Sequence, residues 1–146
     1  MSVDKDWLRV KKLTPSAILP KYANLNDAGM DLYASETIIL PPQERKLIPT
    51  GIAMAIPPGY AGIIWDKSGL AAKHGIKTMG GVIDAGYRGE IKILVCNLSD
   101  TSYTFEKGTK VAQMLIQPVE QNKIVEVKEL EETGRGKGGF GSTGIR

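Results

Sequence analysis

Apolar residues along this chain fall in short runs rich in Ile, Val, Leu and Tyr, divided by frequent turn residues. Residues 37–40, 51–56, 61–65, 90–97, 109–116 and 124–127 read as strands. Between Glu90 and Val95 the pattern alternates, with Glu90 and Lys92 on one side and Ile91, Ile93 and Val95 on the other. Successive side chains of a strand point to opposite faces, so this run predicts a half-buried strand. Pro41-Pro42, Pro57-Pro58-Gly59, Gly80-Gly81 and Lys107-Gly108 punctuate the runs. Many short strands with such turns predict a sandwich or barrel and leave no room for the crossover helices of a parallel α/β sheet. One short helix is expected, capped by Ser68, formed by residues 70–73 and ended by Gly75.

Composition narrows the classes. A chain of 146 residues is one domain in size. Its single cysteine, Cys96, allows no internal disulfide, which fits a reduced, cytoplasmic setting. Lys11 and Lys12 follow Val10, so no signal peptide is expected, and no run is long enough to span a bilayer. The net charge of +3 comes from basic residues spread among acids. Nucleic-acid domains gather theirs on one stripe, so no nucleic-acid partner is expected, while a small polyanion remains in play.

Five segments carry candidate chemistry. Asp27-Ala28-Gly29-Met30-Asp31-Leu32 is a turn entering a strand, yet Asp31 between apolar neighbours requires a partner. In Asp66-Lys67-Ser68-Gly69-Leu70 a cation, a hydroxyl and a glycine meet where a strand becomes a helix, which is phosphate-site chemistry without a Walker A loop. His74, the only histidine, fits the helix end, and a histidine-rich metal site is excluded by count. Gly80-Gly81-Val82-Ile83-Asp84-Ala85-Gly86-Tyr87-Arg88-Gly89-Glu90 reads as a hairpin. Asp84 is at its turn, Tyr87 offers a ring to a sugar face, and backbone groups are placed to read a base edge. Gln113 lies in the apolar stretch 108–116 and must find a partner. Residues 134–144 hold six glycines with Arg135, Lys137, Phe140, Ser142 and Thr143. Such a segment cannot fold alone; its aromatic, cations and Gly141 beside Phe140 suggest a lid over a ligand. The expected division is a barrel domain over residues 1–133 and a flexible lid over 134–146.

Taken in order, these five segments resemble the motifs of the trimeric dUTP pyrophosphatase (dUTPase) family, over about residues 20–144. The resemblance implies an all-β fold, a distorted jelly-roll-like β-barrel of the β-clip kind. It implies a homotrimer with three shared active sites and hydrolysis of dUTP to dUMP and pyrophosphate. Asp84 would hold the attacking water, and Tyr87 would pack on the deoxyribose and exclude a 2′-hydroxyl. The backbone around Gly81, Val82 and Ile83 would recognise uracil. Lys67, Ser68, Gly69 and Gln113 would contact phosphates, with Asp31 supporting their network. Arg135 would reach the terminal phosphate, while Phe140, with Gly141 and Ser142, would close over the uracil from a neighbouring chain. Mg²⁺ would ride on the triphosphate and waters, with no side-chain ligands. Lys67 and Lys110 stand where the family more often has Arg, and Thr78 where some members have Asn. A dCTP deaminase, monofunctional or bifunctional, and a non-catalytic trimeric nucleotide-binding protein are the alternative functions. The stretch Glu90-Ile91-Lys92-Ile93 does not resemble the deaminase pattern.

Overall fold

The computed structural model describes residues 7–146. The expectation of no signal peptide rests partly on residues 1–6, which lie outside that range. Every strand pairing is antiparallel, and the strands form four small sheets. β1 (Arg9–Lys12) pairs with β5 (Ile52–Ala55), and β3 (Ile38–Leu40) with β10 (Tyr103–Phe105). A four-stranded sheet runs β2 (Met30–Tyr33), β11 (Lys110–Pro118), β6 (Tyr60–Trp65), β8 (Val82–Ile83). A three-stranded sheet runs β4 (Arg45–Pro49), β9 (Lys92–Asn97), β7 (Ile76–Met79). The fold is all-β with one short helix, α1 (Ser68–His74).

Between the sheets lies one core, including Leu32, Ile48, Ile93, Phe105, Val111 and Met114. Burying each such side chain contributes about 1.5–3 kcal/mol. β9 behaves as its alternation predicts: Ile93, Val95 and Asn97 are buried and Lys92 is exposed. Asn97 is fully buried and satisfied. Its amide donates to the carbonyls of Leu40 (3.0 Å) and Thr101 (2.8 Å), and its oxygen accepts from the backbone and hydroxyl of Ser99.

Three expectations need correction. The residue capping α1 is Lys67, in extended conformation and without a side-chain cap bond, while Ser68 is the first helical residue. A side chain flanked by strand and helix is easily misplaced by one position, because both candidates are polar. Gly75 does end the helix, in the left-handed conformation. Residues 124–127 form no strand. Ile124 and Val125 are exposed, and this run pairs with none of the described strands. Finally, β8 is not paired with the strand that follows Asp84. It pairs with β6, and the true hairpin arms are β7 and β9, which carry residues 80–91 as a long excursion at their tip. Strands β1, β4, β7 and β10 were not anticipated from the pattern. They are short, at three to five residues, which leaves little room for a period to show.

A register shift in β11 between Lys110 and Ala112 positions the site. Residues three apart in a regular strand face opposite sides. The bulge shifts that phase, so Lys110 reaches the same carboxylate that lies opposite Gln113 in the sheet.

Candidate active site

Asp84 follows β8 and opens a tight turn in which the Tyr87 amide donates to the Asp84 carbonyl (3.1 Å). Arg88 clips the turn shut, its guanidinium donating to the carbonyls of Ala85 (2.7 Å) and Tyr87 (3.1 Å). The Tyr87 hydroxyl donates to the Glu90 carbonyl (2.9 Å), which lays the ring across Gly89. A β-carbon at Gly89 would meet that ring's hydroxyl at 2.5 Å, so a side chain there would displace it. The excursion is pinned at both roots. The Ile64 amide donates to the Gly81 carbonyl (2.8 Å), and the Ile91 amide donates to the Ile52 carbonyl (2.8 Å). Gly81 has φ +110°, and a β-carbon there would press on Ile64 at 3.1 Å, so the close approach requires glycine.

Asp84, Val82, Ile83 and Tyr87 line one cavity of about 390 Å³, together with Leu47, Glu90 and Lys92. Glu90 was not singled out from sequence; its carboxylate accepts the Gly51 amide (3.1 Å) and thereby fixes the return of the excursion. Asp84 and Tyr87 are exposed, open to a ligand.

The phosphate-side candidates gather elsewhere on the chain. Asp31 is 2% exposed. The Lys67 ammonium lies 2.6 Å from one of its oxygens, and the Lys110 ammonium lies 3.2 Å from the other. Burial pushes the Asp31 carboxyl up, but the bonds and charges of the two lysines hold it below the ordinary carboxylate range. Both positions where Lys replaces the family's commoner Arg therefore converge on one carboxylate. Gln113 lies opposite Asp31 in the sheet and donates to the Asp66 carbonyl (2.8 Å). A β-carbon at Gly29 would lie 2.4 Å from the Gln113 side-chain oxygen, so Gly29 makes room for it.

Lys67 and Gly69 line a second cavity, of about 300 Å³, with Leu70, Lys73, His74 and Lys110. Lys73 and His74 went unassigned as ligand contacts in the sequence; their signal was only an ammonium and an imidazole at a helix end. His74 also packs against Tyr103, ring centroids 4.8 Å apart and the planes tilted by 50°. Ser68 and Gly69 are exposed at the start of α1.

The two cavities share no lining residue, and no tail residue lines either. Arg135 donates to the Gly138 carbonyl (2.7 Å), and the remaining described tail hydrogen bonds are likewise local turns. Phe140 is fully exposed, with Gly141 and Ser142 exposed beside it. Thus one chain assembles Asp84 with Val82, Ile83 and Tyr87. It separately assembles Lys67 and Gly69, with Asp31 behind them. It brings Arg135, Phe140, Gly141 and Ser142 to neither. Among the described residues no group of three or more His, Cys, Asp or Glu side chains is arranged to hold a metal ion, and no helix is long and apolar enough to cross a membrane.

A family model described as dUTPase matches residues 15–144. The deoxyuridine 5′-triphosphate nucleotidohydrolase of Clostridium kluyveri is 52% identical over 139 residues, covering 94% of this chain and 97% of its own. That of Clostridioides difficile is 48% identical over 140 residues, with 94% and 98% covered. Among solved structures, the Staphylococcus bacteriophage 80alpha dUTPase with dUpNHpp superposes with a TM-score of 0.91 at 33% identity, covering 96% of this chain and 99% of that one. A variant dUTPase from phage phi11 of S. aureus, described for its coordination of a structural Mg(II) ion, superposes at 0.82 with 29% identity, covering 87% and 100%.

Proposed function

The chain belongs to the dUTPase family, and from that premise we propose that it hydrolyses dUTP to dUMP and pyrophosphate by in-line attack of water on the α-phosphorus. It would thereby limit uracil incorporation into DNA and supply dUMP for thymidylate synthesis. The observation that carries the reading is the cavity in which the exposed Asp84 carboxylate stands beside the half-exposed Tyr87 ring, on backbone pinned at both ends.

Asp84 holds the attacking water. A carboxylate is a weak base toward water. Its gain therefore lies largely in placing one water, with proton acceptance as charge develops. Tyr87 packs on the deoxyribose and leaves no room for a 2′-hydroxyl. The Gly81, Val82 and Ile83 backbone reads the uracil edge and rejects the methyl of thymine. Such rejection needs a loop that does not yield. The Ile64–Gly81 and Ile91–Ile52 hydrogen bonds and the Arg88 clip supply that stiffness within the chain.

Lys67, Ser68, Gly69 and Gln113 contact phosphate oxygens, and Arg135 clamps the terminal phosphate. Mg²⁺ enters as part of the substrate, on the triphosphate and its waters, and adds charge stabilisation there. Asp31 supports this network, since its carboxylate is already held by two lysines. Phe140 covers the uracil when the 134–146 lid closes, expelling water and strengthening the phosphate contacts.

The active assembly is a homotrimer in which each site draws on several copies. Two features support this. The base-side and phosphate-side cavities of one chain share no residue. Residues 119–133 also carry exposed Val119, Ile124, Val125, Val127 and Leu130, an apolar load that a free chain leaves in water. The setting is the cytoplasm, where nucleotide and reduced thiol coexist.

Pyrophosphate release from dUTP with Mg²⁺, beside dTTP, dCTP and UTP, tests the reading. Release from dUTP alone is expected. Ammonia from dCTP would favour the deaminase alternative, and tight dUTP binding without turnover would favour the non-catalytic one.

A further inference from the structure

Asp66, between β6 and α1, has no role in the reaction as set out above, yet it is the most heavily engaged polar residue near the phosphate side. One carboxylate oxygen accepts both the backbone amide (2.6 Å) and the hydroxyl (2.9 Å) of Thr78. The other accepts the Lys77 ammonium (2.6 Å). Its backbone carbonyl accepts the Gln113 amide (2.8 Å). Thr78 is 7% exposed, so its hydroxyl is a buried donor that Asp66 satisfies. Lys77 also lies 6.0 Å from the ring centre of Trp65, the residue before Asp66 and the sheet partner of Gln113.

We infer that Asp66 is a positioning residue that fixes Gln113 on the phosphates by locking its own peptide to β7 through Thr78. This rests on the phosphate role of Gln113 in the proposed function. A glutamine amide can turn about several bonds, so its direction is set by what holds it. Here the hold is a single carbonyl, on a residue whose side chain is tied by three donors to the neighbouring strand. Freed of those ties, the peptide before Lys67 has no other side-chain anchor of its own. Thr78 thus contributes through Asp66 and not through a contact to the base or sugar. The same two residues connect the loop that opens α1 to β7, the arm leading into the Gly80–Ile91 excursion.

A contact to phosphate made equally in the bound state and the transition state alters affinity more than turnover. Asp66→Ala is therefore expected to weaken binding of an uncleavable dUTP analogue about tenfold, the scale of one hydrogen bond to a charged group. Affinity for deoxyuridine, which carries no phosphate, should stay within about twofold, and kcat should fall far less than kcat/KM. Asp66→Asn keeps an oxygen for Thr78 and should restore most of the loss. Gln113→Ala should weaken the analogue similarly, and the double variant should be no worse than Gln113→Ala alone. Thr78→Val, close to Thr in shape, should give a smaller loss with the same preference for the triphosphate, and carries the test should Asp66→Ala fail to fold. Equal weakening of analogue and deoxyuridine, multiplying effects in the double variant, or unchanged analogue binding in Asp66→Ala while Gln113→Ala binds poorly would each overturn the inference. Unchanged analogue binding in Gln113→Ala would sink the phosphate assignment itself, and this inference with it.

Discussion

The Lys67 ammonium lies 2.6 Å from the Asp31 carboxylate, which is almost wholly removed from water. Lys110 completes the group from the far side, at 3.2 Å. The trio carries a net single positive charge, with the lysines reaching toward solvent and the carboxylate behind them. Under the proposed function Lys67 would meet a phosphate as a braced cation, where an unpaired lysine would have to be ordered first. The rigid fork of an arginine is absent at both positions, and the shared carboxylate supplies part of the missing constraint.

Replacing Asp31 by Asn should destabilise the protein by about 1–3 kcal/mol, since two cations lose their common anchor in a buried site. The difference should depend on pH. The Asp31 carboxyl is held below its ordinary range in the folded chain, so its stabilisation is complete above the unfolded carboxylate value, about 3.9. It is lost as pH falls through the lower, folded value. The gap in urea midpoint between the native protein and Asp31→Asn should therefore hold from pH 7 down to about 4 and close only below that. A gap that stayed constant into strong acid would contradict the ion-pair account.

Gly81→Ala should cost about 1–3 kcal/mol, because φ +110° is a region that side-chain-bearing residues seldom occupy and the new carbon would press on Ile64. If the pinned backbone is what rejects thymine, the ratio of dUTP to dTTP turnover should fall in the same variant. Thermal unfolding and competing-substrate rates measure the two effects. An unaltered melting temperature would contradict the steric reading of this glycine.

Much of this was legible beforehand, and the misses have physical causes. The alternation of Ile91, Ile93 and Val95 identified β9 because one of its faces is buried and the other wet. The Asp84 turn was also visible, from its glycines. Its partner strand was not, because the signal of a hairpin is local, while β8 chooses β6 through long-range pairing. Residues 124–127 have the composition of a strand, yet composition cannot report whether a described strand pairs with them, and none does. Asp31 was flagged by its apolar neighbours. The convergence of Lys67 and Lys110 upon it depends on a bulge in β11 that no spacing rule reveals. Asp66 drew no role of its own at the head of its segment, since nothing in its neighbourhood announces that Thr78 is its partner across the fold.

Deleting residues 134–146 should leave the trimer folded and nearly inactive. Described tail hydrogen bonds stay within residues 133–144, and Phe140 is fully exposed, so the body loses no support. Sedimentation and pyrophosphate release measure the two halves of this expectation. Loss of the trimer, or full activity after deletion, would contradict the lid.

Asp84→Asn should retain dUTP binding while turnover falls about 100-fold or more, the scale of a catalytic acid–base group. Its amide keeps the shape of the turn but loses the charge that orients and deprotonates water. Equilibrium binding of an uncleavable analogue, set beside steady-state turnover, separates the two. Near-normal turnover would remove Asp84 from the chemistry.

The most direct measurement is the structure of the trimer with an uncleavable dUTP analogue and Mg²⁺. The account predicts a water within about 2.6–3.2 Å of the Asp84 carboxylate, in line with the α-phosphorus and the leaving oxygen. An Asp84 side chain turned away from that phosphorus, with no water between them, would contradict it.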